Sequence, residues 1–325
     1  MDKQMQTVGI MTSGGDSPGM NTCIRAAVRA ALAQKLNVIG VIGGYEGLIH
    51  GTFRPMGPRD VGGIIGRGGT ILETRRSDVF REAHGQREAV RQMNNAGMDG
   101  LIVIGGDGSL AGAHKLVDFG KRVIGIPGSI DNDIYGTDMC IGVDTALNTI
   151  TESVDKLRDT ASSHNRAFLV EVMGRQCGYL AVMAGMVGGA EMVLVPEFPV
   201  PVEDVAAAIE DSYRRGKAHA LILVAEGFPV RVTDLARSLG EMEIGFSTRV
   251  TILGHIQRGG TPSAFDRSLA TRMGVRAVEF LLAGENDVMV ALNGRELIPL
   301  PLKEMIGKNK QVSREYYDMT RMLAR

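Results

Sequence analysis

The chain lacks most of the features that would place it in a specialised class. Only three cysteines are present, Cys23, Cys140 and Cys177, widely spaced and without a C-x-x-C pair, which argues against a disulfide framework or a zinc ribbon. Net charge is almost absent: 36 basic against 37 acidic residues leave −1. Nothing therefore draws the chain in bulk to nucleic acid or an anionic membrane, and anion binding must be local. The one run approaching membrane length, residues 179–195, contains Gly185, Gly188, Gly189 and Glu191, and reads as a buried helix followed by a strand. A basic-then-apolar leader, low-complexity tracts, short-period repeats and a clear linker are all missing. Reduced thiols and the absent leader point to a cytosolic protein.

What is present suits a large globular enzyme. The 325 residues, 44% of them hydrophobic, suffice for two domains with a large core. Short apolar runs at 8–11, 38–42, 101–104, 123–126, 168–173, 192–195, 220–225 and 250–253 alternate with helical patterns, which predicts parallel α/β architecture, in two sheets. Ile24, Ala27, Val28, Ala31 and Leu32 mark one helix face, with Asn21 near its cap. Gly43 to Gly47 read as the exit loop of the second strand, and the charged tail 308–325 as a surface helix.

The organising stretch is 101–133, LIVIGGDGSLAGAHKLVDFGKRVIGIPGSIDND. It reads strand, Gly-rich turn, helix, strand, acidic turn, which puts both turns at the C-terminal edge of one parallel sheet, where ligands bind in open α/β proteins. Gly106-x-Gly108-x-x-Ala111 matches a dinucleotide fingerprint formally, but the next strand ends at Ile126-Pro127 without the acid that would hold a ribose. Asp107, a bare carboxylate in a phosphate cradle, makes sense beside a divalent cation, or else as a helix cap. A P-loop is excluded, because Gly14 is followed by Gly15-Asp16 rather than Lys-Ser/Thr. The amides of Gly14 and Gly15 could still bind phosphate.

Asp131 and Asp133 stand one residue apart on the second turn, a pattern suited to a general base with a supporting carboxylate or to a simple Asx turn. Their place beside the cradle favours catalysis. The Gly-rich segment 62–69 and the following Arg75, Arg76 and Arg81 suggest an anion or a solvated basic loop. Arg25 and Arg29, at i and i+4, repel one another unless an anion relieves them, and otherwise form a solvated face. His255 and Arg258 follow a strand; with Arg166, Arg175 and Arg249 they could supply forked donors to a phosphate ester.

With these residues placed, the chain resembles the bacterial ATP-dependent 6-phosphofructokinases. The likeness rests on residues 12–21 (TSGGDSPGMN), 67–70 (RGGT), 104–109 (IGGDGS), 127–133 (PGSIDND), 170–178 (VEVMGRQCG) and 253–260 (LGHIQRGG), in order and at the family's spacing. GGDG alone also occurs in NAD and lipid kinases. The resemblance implies two Rossmann-like three-layer α/β/α domains with mainly parallel sheets: an ATP-binding domain, 1–142 plus 257–307, and a sugar-phosphate domain, 143–256 plus 308–325. It implies transfer of the γ-phosphoryl group of ATP to O1 of fructose 6-phosphate, with Asp131 as base and Asp107 holding Mg²⁺. Asp133, Ser129 and Gly15 would support the phosphoryl group, and Arg76 and Arg175 would neutralise it. Gly106, Gly108 and Ser109, with Tyr45, Ser77 and Arg81, would line the ATP site. Met173, Gly174, Arg175, Glu226, His255 and Arg258 would hold the sugar phosphate, with Arg166 and Arg249 reaching in from a neighbour in a homotetramer.

An ADP or phosphoenolpyruvate effector site is implied at Arg25, Arg29, Arg59, Arg158, Glu191, Arg215, Lys217 and His219. Pro58 stands where an Arg is typical, Ala218 where Lys is common, and Ser129 where Thr is usual. Small residues at Gly108 and Gly128 favour ATP over pyrophosphate, whose users carry Asp and Lys there. A pyrophosphate-dependent kinase and a non-catalytic nucleotide sensor are the alternatives.

Overall fold

The computed structural model describes residues 5–164, 166–242 and 244–324. Residues 1–4 of the N-terminal reading and Arg325 of the tail reading lie outside that range. The strands are β1 (Thr7–Ser13), β2 (Asn37–Val41), β3 (Phe53–Pro55), β4 (Gly100–Gly105), β5 (Arg122–Pro127), β6 (Arg166–Val172), β7 (Met192–Leu194), β8 (Ala220–Ala225), β9 (Ser247–Ile252), β10 (Val288–Asn293) and β11 (Glu296–Pro301). The helices are α1 (Met20–Ala33), α2 (Gly44–His50), α3 (Ala83–Asn95), α4 (Asp107–Val117), α5 (Val143–His164), α6 (Tyr179–Gly188), α7 (Val202–Arg214), α8 (Val232–Gly240), α9 (Ala264–Leu282), α10 (Leu302–Met305) and α11 (Arg314–Leu323).

The chain forms two units. The first contains residues 1–130, 134–145 and 258–308; the second contains 131–133, 146–257 and 309–325. Unit 1 carries a seven-stranded sheet in the order β11-β10-β5-β4-β1-β2-β3. Its centre is parallel, and β3 and β11 pair antiparallel at the two edges. Alternate residues of the central strands, Val8, Ile10, Ile102, Ile104, Ile124 and Ile126, bury against α1 and α9. On the opposite face Leu110 and Leu302 pack over Gly125. Burial on both faces is why these strands read as unbroken apolar runs. Unit 2 is built on an all-parallel sheet, β7-β8-β6-β9. Ala167, Leu169, Ile222 and Val224 bury against Val205 and Ile209 of α7 and Leu235 and Leu239 of α8.

Asn21 lies near the cap of α1, as expected, two residues after the left-handed Gly19, but makes no cap bond. It is fully buried one residue inside the helix, donates to the carbonyls of Arg67 and Gly68 (3.1 and 3.0 Å), and accepts from the Ile71 amide (2.7 Å). A polar side chain that could have capped the helix thus pins the Gly-rich loop instead. The segment from Gly44 is not a loop but the start of α2, where Gly47 is required because a Cβ would overlap the Ile42 carbonyl. The tail does form a helix, α11, but buries Tyr317 and Thr320 on one face.

The N-termini of α5 and α9 are tied by one carboxylate. Asp266, fully buried, accepts from the amides of Gly142 and Thr145 (both 2.8 Å) and from the Thr145 hydroxyl (2.6 Å). Burial nevertheless raises its carboxyl above the ordinary range, and Asp144 adds to the effect, against the three hydrogen bonds that lower it. With the folded value above the unfolded one, this group's contribution to stability is full below the unfolded carboxylate range and falls as pH rises through the raised value. The stability advantage of the wild type over Asp266→Asn, read from urea midpoints, is therefore expected to be largest near about pH 4 and to shrink toward pH 7. An advantage that grows with pH would contradict this account.

Candidate active site

In unit 1, two strand exits meet at the C-terminal edge of the sheet. Ser13 pairs with Gly105 in the β1–β4 register, and Gly105 with Pro127 in the β4–β5 register. A Cβ on Gly105 would overlap the Ser13 carbonyl, and one on Gly14 would lie 3.0 Å from the Ser109 hydroxyl. Glycine is what lets the two loops touch. Beyond them α4 begins at Asp107; the Ser109 and Leu110 amides both donate to the Gly106 carbonyl (3.0 Å), and no side chain caps the helix start. A Cβ on Gly106 or Gly108 would meet open space, so this helix start is accessible to an anion.

The surroundings support the cradle from below. Tyr45, only 6% exposed, donates to the Ser109 carbonyl (2.6 Å) and stacks on Phe80 at 3.9 Å between centroids; burial raises its phenol. Ser77 accepts from the Phe80 amide (3.3 Å). Its hydroxyl also bonds Glu46, which, with the help of His50, holds that carboxyl below its usual value. Arg76 and Arg81 are exposed, the latter 3.7 Å from Asp78. The guanidinium of Arg258 lies against Gly15, where a Cβ would overlap it, and its buried Nε has no hydrogen-bond partner. The structure thus places Arg258 beside the β1 exit.

The second turn leaves β5 alongside the first. The Gly128 amide donates to the Gly105 carbonyl (3.0 Å), and a Cβ on Gly128 would press on Met20 and Ile104 at 3.1 and 3.4 Å. Ser129 is buried and belongs to unit 1, whereas Asp131 to Asp133 pack with unit 2. There Asp131, 2% exposed, lies 3.2 Å from Nε of Arg175, and Asp133 lies 3.7 Å from Nη1. The Arg175 side chain is about half exposed, at 48%. Arg175, at φ 51°, and Asn132 between the two carboxylates, at φ 52°, sit on left-handed backbone. The Arg175 amide donates to Glu226 (2.7 Å).

The remaining residues expected around a sugar phosphate lie in the same unit. Met173 is buried, and its amide donates to the side chain of Gln257 (3.2 Å); Gly174 takes φ 146°. Arg166 begins β6, Arg249 is exposed on the edge strand β9, and His255 is exposed on the short 3₁₀ turn Gly254–Arg258. Glu171, on β6, is raised chiefly by burial and further by Glu226.

The expected effector residues divide between the units. Arg25 and Arg29 line a groove of about 430 Å³ between α1 and α9, and Arg59 is exposed in unit 1. In unit 2, Glu191 and Arg215 line a separate cavity of about 320 Å³. Lys217 pairs with Glu191 at 3.2 Å, Arg158 with Asp155 at 3.1 Å, and His219 bonds Ser162 at 2.9 Å.

No cluster of three acidic, histidine or cysteine side chains suited to a metal occurs among the described residues. A lone carboxylate at an accessible helix start, as at Asp107, fits a Mg²⁺ ion held jointly with substrate phosphates rather than in a protein cage. Among the described residues no helix is long and apolar enough to cross a membrane. Gln257 and Phe80 were not legible as site residues, because each acts on a partner distant in sequence.

Residues 7–281 match the family model described as Phosphofructokinase. The chain is 51% identical to the ATP-dependent 6-phosphofructokinase of Thermotoga neapolitana and 52% to that of Thermotoga petrophila, over 98% of this chain and 100% of each relative. It is similar to the solved phosphofructokinase of Saccharomyces cerevisiae, with a TM-score of 0.86 and 40% identity over 93% of this chain and 45% of that one. The chain belongs to the phosphofructokinase family.

Proposed function

We propose that this protein transfers the γ-phosphoryl group of Mg-ATP to O1 of fructose 6-phosphate, yielding fructose 1,6-bisphosphate and ADP in glycolysis. The observation that carries the reading is the buried Asp131 set 3.2 Å from a half-exposed Arg175. In phosphoryl transfer the protein mainly positions the reactants and cancels negative charge.

Unit 1 would hold the nucleotide: Gly15, Gly106, Gly108 and Ser109 at its phosphates, with Tyr45, Ser77 and Arg81 shaping the surroundings. Asp107 would hold Mg²⁺, which would supply neutralisation of the phosphate charge. Asp131 takes the proton from the sugar O1 hydroxyl as O1 bonds to the γ-phosphorus and the bond to the β-phosphate oxygen breaks. Arg175 neutralises the carboxylate pair and would assist the transferring group from beside them. Arg76, Ser129 and Asp133 support that group. Met173, Gly174, Glu226, His255 and Arg258 hold the sugar phosphate, and Arg166 and Arg249 serve the neighbouring copy of a homotetramer. ATP rather than pyrophosphate fits Gly108, which faces open space, and Gly128, where a larger side chain would have to displace Met20. The three buried cysteines, with Cys23 raised by burial and Cys177 pushed up to about 12, suit a reducing cytoplasm.

Asp131→Ser is expected to lower kcat by about 10²- to 10⁴-fold while KM for fructose 6-phosphate changes only a few-fold, as for a group acting in the transition state. Near-normal turnover in a steady-state assay would remove Asp131 from the role of base. ADP is expected to shift the fructose 6-phosphate saturation curve to lower concentration, and Arg158→Ala to weaken that shift. Superimposable wild-type curves with and without ADP would end the effector assignment.

A further inference from the structure

The charged C-terminal segment, which the reaction itself does not use, lies against the acidic turn. The Lys310 amide donates to the Asp133 carbonyl (3.0 Å). Two residues on, the Val312 amide donates to Oε1 of Glu197 (3.0 Å). The same Glu197 carboxylate accepts the Gly178 amide through both oxygens, at 2.9 and 3.1 Å. Gly178 closes the loop that begins at Arg175, and Arg175 returns to Asp131 and Asp133. The path Asp133, Lys310, Val312, Glu197, Gly178, Arg175, Asp131 is therefore a closed circuit, all of it within unit 2.

We infer that residues 309–312 are a positioning strap that holds the Asp131–Asp133 turn at its working distance from Arg175, with Glu197 as its buckle. The inference rests on the reading of Asp131 as the base. The turn needs such a constraint. Two carboxylates one residue apart repel each other, and the chain turns between them through left-handed backbone at Asn132. The strap is itself well anchored. Val312 is buried, the Lys310 ammonium lies 5.6 Å over the Tyr179 ring, and the buried Tyr317 of α11 packs on Phe198 at 4.8 Å with Arg314 over both rings. Glu197, Asp133 and Lys310 also converge electrostatically on the buried Cys177 thiol, which sits inside the circuit.

The test separates the strap's backbone from its side chain. Lys310→Pro removes the donated N–H, whereas Lys310→Ala keeps it. Lys310→Pro is expected to lower kcat about tenfold with KM for ATP within about twofold, and Lys310→Ala to retain kcat within about threefold of wild type. Glu197→Ala should match the proline variant, with Glu197→Gln intermediate because it keeps one acceptor oxygen. Hydrogen exchange at residues 131–133 and 174–178 should quicken in Lys310→Pro and Glu197→Ala, while amides of β1 and β4 keep their protection. Equal loss in the Lys310→Ala and Lys310→Pro proteins, or unchanged kcat and exchange in Lys310→Pro, overturns the strap. If the proline variant does not fold, the Glu197 pair decides by the same two readouts. A wild type that phosphorylates no fructose 6-phosphate would refute the function above, and the exchange measurement would still decide the strap.

Discussion

The hydrogen bond from the Gly128 amide to the Gly105 carbonyl, 3.0 Å long, extends the parallel β4–β5 ladder one step beyond the strands. On it depends the rest of the site. It makes the Gly-rich turn and the acidic turn depart from one edge, side by side, and leaves neither chain room to drift. Glycine at Gly105 is a steric need, since a Cβ there would overlap the Ser13 carbonyl, and a Cβ on Gly128 would press on the Met20 side chain at 3.1 Å. A kinase needs its donor cradle and its base on rigid supports, because positioning is most of what the protein contributes. Two central strands buried on both faces are such supports.

Around this ladder the structure uses long-range polar ties rather than further regular elements. Asn21 pins the loop after Gly62, Asp266 ties α5 to α9, Gln257 joins the Met173 loop to the turn that follows β9, and Glu197 joins the tail to the loop after Arg175. Each is a side chain bonded to backbone groups of segments distant in sequence. Such bonds fix irregular segments that have no ladder of their own, and an unsatisfied partner in these places would cost about 1–3 kcal/mol.

What could be read from the residues follows the same division. The apolar runs of β1, β4, β5, β6 and β8 were legible because burial on both faces leaves a continuous signal, and the two turns were legible because glycine and aspartate interrupt it. Helix α2 was hidden by its glycines, which disfavour a helix locally; Gly47 is required by contact with the Ile42 carbonyl, and Gly44 takes a left-handed φ against that of Thr12. Helix α9 gave no sequence expectation because its buried face is interrupted by small residues, Ala270, Gly274 and Ala277 among them, and the hairpin β10–β11 because Pro299 and Pro301 lie in its second strand. The tail read as a charged surface helix because charge is local information, while its contacts with Asp133 and Glu197 are not.

The central claim is that the two adjoining turns divide one reaction, the first binding a nucleotide donor and the second activating a sugar hydroxyl. The most direct measurement is phosphorus NMR of the wild-type protein with fructose 6-phosphate and Mg²⁺, given either ATP or pyrophosphate. The account predicts that fructose 1,6-bisphosphate forms with ATP, alongside ADP, and not with pyrophosphate. Turnover with pyrophosphate in place of ATP, or ATP consumed without phosphorylation at O1, would contradict it.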